Sequence, residues 1–339
     1  MNKRIIAVLV VLSLVMFGVL GCGSDEKTSS EGEVKKEKAY VTMATATTAG
    51  IYFALGNAIT NMWNKEIEGV QVSVQSTAGS GQNVELLARN EAHVAFMQNG
   101  VGGDAWAGKN TFEGKPVKDF VGMTYLYPNL CYFVVSAKSD INDLTDLKGK
   151  KIIPGPVGSG TELNARQILS IAGIDYQDNK DASADYVSNA EAAQKFTDRQ
   201  ADMAFIAGGI PHAAVTEMMT RTDARILDLQ PDVIEKLIER FPAYFPVEVP
   251  ANSYKGQAEP VQTVAVGNLL VVRKDMDEQL VYDMLDKIYA NKDQLANSFK
   301  GAANFKIENG INGMTMPMHP GAVKFFTDNG VTVPEHLKL

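Results

Sequence analysis

Five short runs of hydroxyl and glycine residues are where this sequence has the means to do chemistry. They are Ala46-Thr47-Thr48-Ala49-Gly50, Ser76-Thr77-Ala78-Gly79-Ser80-Gly81, Gln98-Asn99-Gly100, Gly158-Ser159-Gly160-Thr161 and Ala207-Gly208-Gly209. Each follows an apolar run of strand type, and most precede a helical pattern. Unpaired N–H groups at a helix start, together with the helix dipole, attract anions. Glycine lets a ligand approach that backbone closely. One such run alone is ordinary turn and cap chemistry. Five at equivalent places predict a cleft that holds a small anionic or zwitterionic molecule without acting on it. The residues expected to line it are Thr47, Thr48, Ser76, Ser80, Gln98, Ser159, Gly160, Thr161 and Gly208. Tyr52 and Tyr127, beside strand ends, are the expected aromatic walls.

Catalytic constellations are not found. His93, His212, His319 and His336 stand apart from one another, with no HExxH ligand pair and no GxSxG elbow. Gly103-Asp104-Ala105-Trp106-Ala107-Gly108-Lys109-Asn110 approaches a phosphate-binding loop, but Asn110 stands where Ser or Thr would hold magnesium. It reads as a helix ending at Gly108. Cys131, inside Leu130-Cys131-Tyr132-Phe133-Val134-Val135, reads as a small buried hydrophobe and not as a nucleophile. No catalytic residue, metal or cofactor is expected. Arg166 is the one arginine near a proposed anion loop. Five residues turn it away from Thr161, so a surface or interlobe ion pair is its expected role.

The elements that position these loops follow from periodicity. Residues 40–43, 70–75, 94–98 and 120–125 read as strands, and 51–65 and 84–90 as helices. The alternation restarts with strands at 150–153, 201–206 and 225–229 and helices at 161–172 and 210–221. Ser159-x-x-Glu162 and Ser188-x-x-Glu191 carry the capping-box signature. Residues 241–260, rich in proline and aromatics, read as a connection and not as a helix or central strand. Residues 264–272 read as a strand, with helices at 276–291 and 321–329. Strand–helix alternation implies an α/β fold of mostly parallel sheets flanked by helices. Crossings near 127–136 and 264–272 are the expected hinge. The domain reading is 39–128 with 267–339 as lobe 1 and 129–266 as lobe 2.

The chain has 339 residues, 45% hydrophobic and 21% charged, which fits a globular domain or two lobes. A net charge of −8 argues against nucleic acid or an anionic membrane surface as partner. Asn2-Lys3-Arg4, the apolar run from Ile5 to Val19 and Leu20-Gly21-Cys22 form an export leader. This leader resembles a bacterial lipoprotein signal, with Cys22 as the residue that takes the lipid. Val19 and Leu20 depart from that pattern, which prefers Leu and a small residue. Residues 1–22 are the expected signal and the polar stretch 23–38 a tether. The expected location is extracytoplasmic, lipid-anchored to the outer face of the cytoplasmic membrane.

Taken in order, Thr47-Thr48-Ala49-Gly50-Ile51-Tyr52, Ser76-Thr77-Ala78-Gly79-Ser80 and Val94-Ala95-Phe96-Met97-Gln98 resemble the TAXI family. Asp143-Leu144-Thr145-Asp146-Leu147-Lys148-Gly149-Lys150, Gly155-Pro156-Val157-Gly158-Ser159-Gly160-Thr161 and Met316-Pro317-Met318-His319-Pro320-Gly321-Ala322 agree with it too. These are solute receptors of TRAP (tripartite ATP-independent periplasmic) transporters, and the similarity covers residues 41–334. The resemblance implies a two-lobed periplasmic-binding-protein fold of type II with its ligand cleft between the lobes. It implies capture of glutamate, 2-oxoglutarate or a similar dicarboxylate, and delivery to a TRAP membrane permease. The chain departs from the family at Thr48-Ala49-Gly50-Ile51, where two glycines often stand, and at Asn129, where glutamate often follows Tyr-Pro. A receptor serving a sensor kinase or an ABC importer would share these features. An extracytoplasmic enzyme on the same scaffold is the remaining alternative.

Overall fold

Short apolar strands alternating with amphipathic helices build the fold, which a computed structural model describes over residues 38–339. The leader, Cys22 and the tether apart from Lys38 lie outside those residues. The chain runs β1 (Ala39–Ala44), α1 (Ile51–Glu66), β2 (Val70–Gln75), α2 (Ser80–Ala88), β3 (Val94–Gln98) and α3 (Asn99–Ala107). The long strand β4 (Phe120–Ser136) then carries it across to β5 (Lys151–Ile153), α4 (Gly160–Ile171), β6 (Ser183–Ala184) and α5 (Asn189–Thr197). Next come β7 (Met203–Gly208), α6 (Ala213–Arg221), β8 (Ala224–Ile226), α7 (Pro231–Arg240) and β9 (Tyr244–Val249). A second long strand, β10 (Val261–Arg273), returns to α8 (Glu278–Ala290), α9 (Lys292–Leu295) and α10 (Pro320–Asp328).

All ten strands join one curled sheet, whose main path is β2-β1-β3-β10-β4-β7-β5-β6. Pairing is parallel where helices connect the strands: β1 with β2 and β3, β5 with β6 and β7. The two crossing strands run antiparallel to their neighbours, because each carries the chain over and back without an intervening helix. The sheet is therefore mixed, with parallel flanks and an antiparallel middle. In that middle β4 and β10 pair from Phe120 opposite Arg273 to Leu130 opposite Ala265, with register shifts after Asn268 and Leu270.

Core packing divides along the same line. One set of buried residues, including Trp63, Phe96, Met123, Leu270 and Phe325, belongs to the segments before and after the crossing. Its Trp63 indole donates to the Met284 carbonyl at 2.9 Å, so the ring is buried without an unpaired N–H. Further sets around Phe133, Phe205 and Leu237, and around Tyr132, Ile206 and Met218, pack the central segment. Cys131 is buried there, and burial pushes its thiol far above the ordinary range. It packs as a hydrophobe. Gly108 closes α3 in the left-handed conformation, the helix ending that its sequence indicates. The segment 241–260 does contain a strand, β9, but one paired only with β10, where Pro246 costs no ladder bond of a central strand.

Candidate ligand-binding site

Six strand ends lead directly into six helices, and all six helix starts converge on one cavity. Its wall holds Gly50 and Ile51 from α1, Gly79 and Ser80 from α2, and Gln98 before α3. From the central segment come Ser159, Gly160 and Thr161 at α4, Asn189 at α5 and His212 before α6. Thr47, Tyr52, Tyr127, Asn129 and Gly208 complete the polar and small-residue lining. The cavity measures about 50 Å³, room for a small metabolite fragment and not for a peptide in this conformation. The Thr47 and Ser159 turns share this one cavity.

Among the described residues, no lysine, arginine, aspartate or glutamate lines it. Positive potential comes from the helix ends instead. The backbone N–H groups of Ile51, Tyr52, Ser80, Gly160 and Thr161 have no acceptor among the described residues. Neither do the hydroxyls of Thr47 and Thr161 donate to the protein. Ser159 differs. Its hydroxyl donates to the Pro156 carbonyl at 2.7 Å and accepts from the Glu162 N–H at 2.9 Å, so it holds the 156–161 turn in shape and caps α4. Ser80 Oγ accepts from the Gln98 N–H at 3.1 Å.

Two buried polar groups on the wall lack partners. Gln98, 2% exposed, leaves Oε1 unpaired, and Tyr127, 4% exposed, leaves its hydroxyl unpaired. Buried polar atoms are almost always bonded, so these orphans mark where a ligand's polar groups fit. Tyr52 donates to Asn268 Oδ1, whose amide in turn donates to the Tyr127 carbonyl at 3.0 Å, and Tyr52 stacks on Phe96 with centroids 4.8 Å apart. Burial raises the ionisation of both tyrosines, which stay neutral hydrogen-bonding walls.

Nine of the eleven expected lining residues meet here: Thr47, Tyr52, Ser80, Gln98, Tyr127, Ser159, Gly160, Thr161 and Gly208. Thr48 and Ser76 do not. Thr48 sits exposed at the tip of the turn before α1. Ser76 is exposed as well, and its hydroxyl donates to the Ala46 carbonyl at 2.9 Å, tying two loops together behind the wall. Arg166 also stays out. It pairs with Glu162 at 2.9 Å within α4 and lines a separate, wider cleft beside Phe112, Val157 and Tyr186. The ion pair lies inside one helix and does not join the halves.

Sequence reasoning missed Asn189 and His212, whereas Asn129 was flagged only as a departure from the family pattern that could line the pocket. Asn189 opens the helix that the Ser188-x-x-Glu191 capping box announces, and that box is fully formed. Asn129 and Ile51 are positions where the chain departs from the TAXI pattern, and both face the cavity. His212 gave no sequence signal: it stands inside the run 210–221 read as a helix, whereas α6 starts only at Ala213 with His212 as its N-cap. It is buried, caps α6 by accepting the Ala214 N–H at Nδ1 (3.2 Å), and gives its backbone N–H to the Tyr254 hydroxyl (3.0 Å). No hydrogen bond joins it to a serine. Burial drops its ionisation to about 4, so the ring is neutral near pH 7.

A profile of the NMT1-like family matches residues 43–330. The chain belongs to the NMT1-like family. Among solved structures, a Bordetella bronchiseptica RB50 protein aligns with a TM-score of 0.50 at 16% identity, covering 88% of this chain and 86% of that one. The alkanesulfonate-binding protein SsuA of Xanthomonas axonopodis pv. citri, bound to MOPS, aligns at 0.49 and 16% identity over 86% and 84% of the two chains. The periplasmic aliphatic sulphonate binding protein SsuA of Escherichia coli aligns at 0.47 and 15% over 86% and 84%. At such identities the likeness concerns the fold. The NMT1-like chain has the α/β architecture expected of it, a curled sheet flanked by helices.

Proposed function

We propose that this chain is an extracytoplasmic solute receptor that captures a small carboxylate and delivers it to a membrane permease. The observation that carries the proposal is the meeting of six helix N-termini in a buried cavity without a charged side chain. Such a site stabilises an anion through fixed N–H dipoles. It has no placed acid, base or nucleophile to transform it. The segments 39–128 with 267–339, and 129–266, act as lobes that hinge on β4 and β10. Closure follows from the ligand's preference for the closed state. The narrower assignment, a TAXI receptor of a TRAP permease with glutamate, 2-oxoglutarate or a related acid as ligand, rests on the ordered motifs. So does anchoring through lipid on Cys22.

Calorimetry on the mature chain with a panel of mono- and dicarboxylates, amino acids and alkanesulfonates tests the reading. Thr47→Ala combined with Thr161→Ala removes one unpaired hydroxyl from each lobe. A hydrogen bond to a charged group contributes roughly 1.5–3 kcal/mol, so the pair should weaken carboxylate binding about a hundredfold or more. Unchanged affinity in the double variant refutes the site. Copurification with a many-spanning permease, as opposed to a sensor kinase or an ATP-driven importer, decides the partner.

A further inference from the structure

We propose that His212 is a specificity-determining residue of this cavity, a hydrogen bond donor that cannot accept and so selects an oxygen, not an amino group, on the ligand facing it. The inference rests on the carboxylate reading above and adds which substituent that carboxylate carries. Among the described residues, Gln98, Tyr127 and His212 leave polar side-chain atoms on the wall without a protein partner, as do Thr47, Asn129, Thr161 and Asn189. The Gln98 amide can turn either end to a ligand, and the Tyr127 hydroxyl can donate or accept. His212 has no such choice. Its Nδ1 lone pair is taken by the Ala214 N–H, which puts the remaining proton on Nε2.

The Nε2 edge is aimed by packing. A Cβ at Gly208 would lie 2.9 Å from Nε2 and closer still to the neighbouring ring carbon, so only glycine at the end of β7 leaves the ring its place on the cavity wall. The backbone N–H of the same residue is held by Tyr254, which fixes where the ring starts. The result is a rigid N–H at the mouth of β7, beside the α5 start at Asn189. A ketone, hydroxyl or carboxylate oxygen satisfies it. An ammonium group in the same place sets donor against donor in a site shielded from water.

The test uses two series that differ only at C2: pyruvate, lactate, alanine and propionate, and 2-oxoglutarate, 2-hydroxyglutarate, glutamate and glutarate. Calorimetry compares the mature wild type with His212→Asn. Asparagine is a good N-cap and can still accept the Ala214 N–H, but it is too short to offer a donor where Nε2 stands. In the series that binds, the wild type should hold the oxo or hydroxy acid at least about tenfold tighter than the amino acid. In His212→Asn that ratio should shrink to within about threefold, while the thermal midpoint of the empty protein stays in place. A ratio that survives in the variant, or is absent from the wild type, overturns the proposal. If no acid of either series binds the wild type, the carboxylate reading itself has failed and takes this inference with it. Should His212→Asn not fold, the His212 Nε2–H resonance of the wild type, followed by NMR at saturation with the tightest acid, serves instead. It should shift on binding, and an unmoved resonance overturns the assignment.

Discussion

The three helices that reach the cavity from the proposed first lobe start differently from the three that reach it from the proposed second. α1, α2 and α3 begin at Gly50, Gly79 and Gln98, and none has a side-chain cap. α4, α5 and α6 begin at Ser159, Ser188 and His212, and each side chain accepts a first-turn N–H. A cap stabilises a helix by about 1 kcal/mol. The proposed first lobe forgoes that at three helix starts and keeps donors open at α1 and α2, while at α3 Asn99 Oδ1 accepts the Gly100 N–H at 2.9 Å; the second has satisfied a first-turn donor at each of its starts. The difference assigns roles. In the proposed receptor, the first lobe is the anion acceptor and the second a preformed lid that adds Gly160, Thr161 and His212 on closing.

The largest effect should come from preventing the two sets from meeting. The lobes touch where Gln82 N–H donates to the Gly158 carbonyl at 3.2 Å. A Cβ at Gly81 would stand 2.5 Å from that oxygen, and backbone cannot yield as a flexible side chain does. Gly81→Ala should hold the lobes apart. Overpacking of this kind costs about 1–3 kcal/mol, or a tenfold to hundredfold loss of affinity. The two-lobe proposal assigns this contact to the closed state, so the empty protein should melt nearly as before. Small-angle scattering with saturating ligand would show an envelope still open. Wild-type affinity in Gly81→Ala would mean that the capped lobe does not need to close.

A second break converts one lobe into the other. Gly50 has the extended backbone of an N-cap, φ −89° and ψ 156°, and lacks only the side chain. Gly50→Asp, whose Cβ would stand 3.1 Å from the Thr47 carbonyl oxygen, should cap α1 and raise stability by a few tenths of a kcal/mol, with a further small gain from the dipole. The same carboxylate would occupy the anion's place and repel it, lowering affinity roughly tenfold. The two readouts, melting point and calorimetric affinity, should move in opposite directions. If both rise, the uncapped starts are incidental to binding.

This contrast explains what was readable in the sequence and what was not. Hydroxyl–glycine runs after strands are local, so seven lining residues were readable from them, and Tyr52 and Tyr127 from their places beside strand ends. The capping box at Ser188 is local too, as are the helix stop at Gly108 and the serine cap at Ser159, where the Glu162 side chain turns to Arg166 and Tyr176 and leaves the box unformed. Thr48 and Ser76 look the same as their neighbours in sequence, but one turn tip and one bond to Ala46 put them outside. Asn129 reaches the wall because β4 crosses between lobes there, a long-range fact. His212 is aimed by Gly208 and Tyr254, residues 4 and 42 positions away, and no short-range pattern encodes that. The antiparallel middle of the sheet was hidden for the same reason: β4 and β10 read as strands, but their direction depends on the crossing.

The smallest effect on binding should come from a cap that serves only its helix. Ser188 and Ser159 both accept the N–H three residues on, at 3.3 and 2.9 Å. Only Ser159 lies on the cavity wall, and its second bond, to Pro156, shapes the turn that presents Gly160 and Thr161. Both Ser188→Ala and Ser159→Ala should destabilise the protein by about 1 kcal/mol in denaturant unfolding. Their affinities should part. Ser159→Ala should weaken binding severalfold as the turn loosens, whereas Ser188→Ala should stay within about threefold of wild type because α5 offers the cavity only Asn189. Equal losses from the two would show that helix stability in the second lobe, and not the geometry of the 156–161 turn, sets the energy of closure.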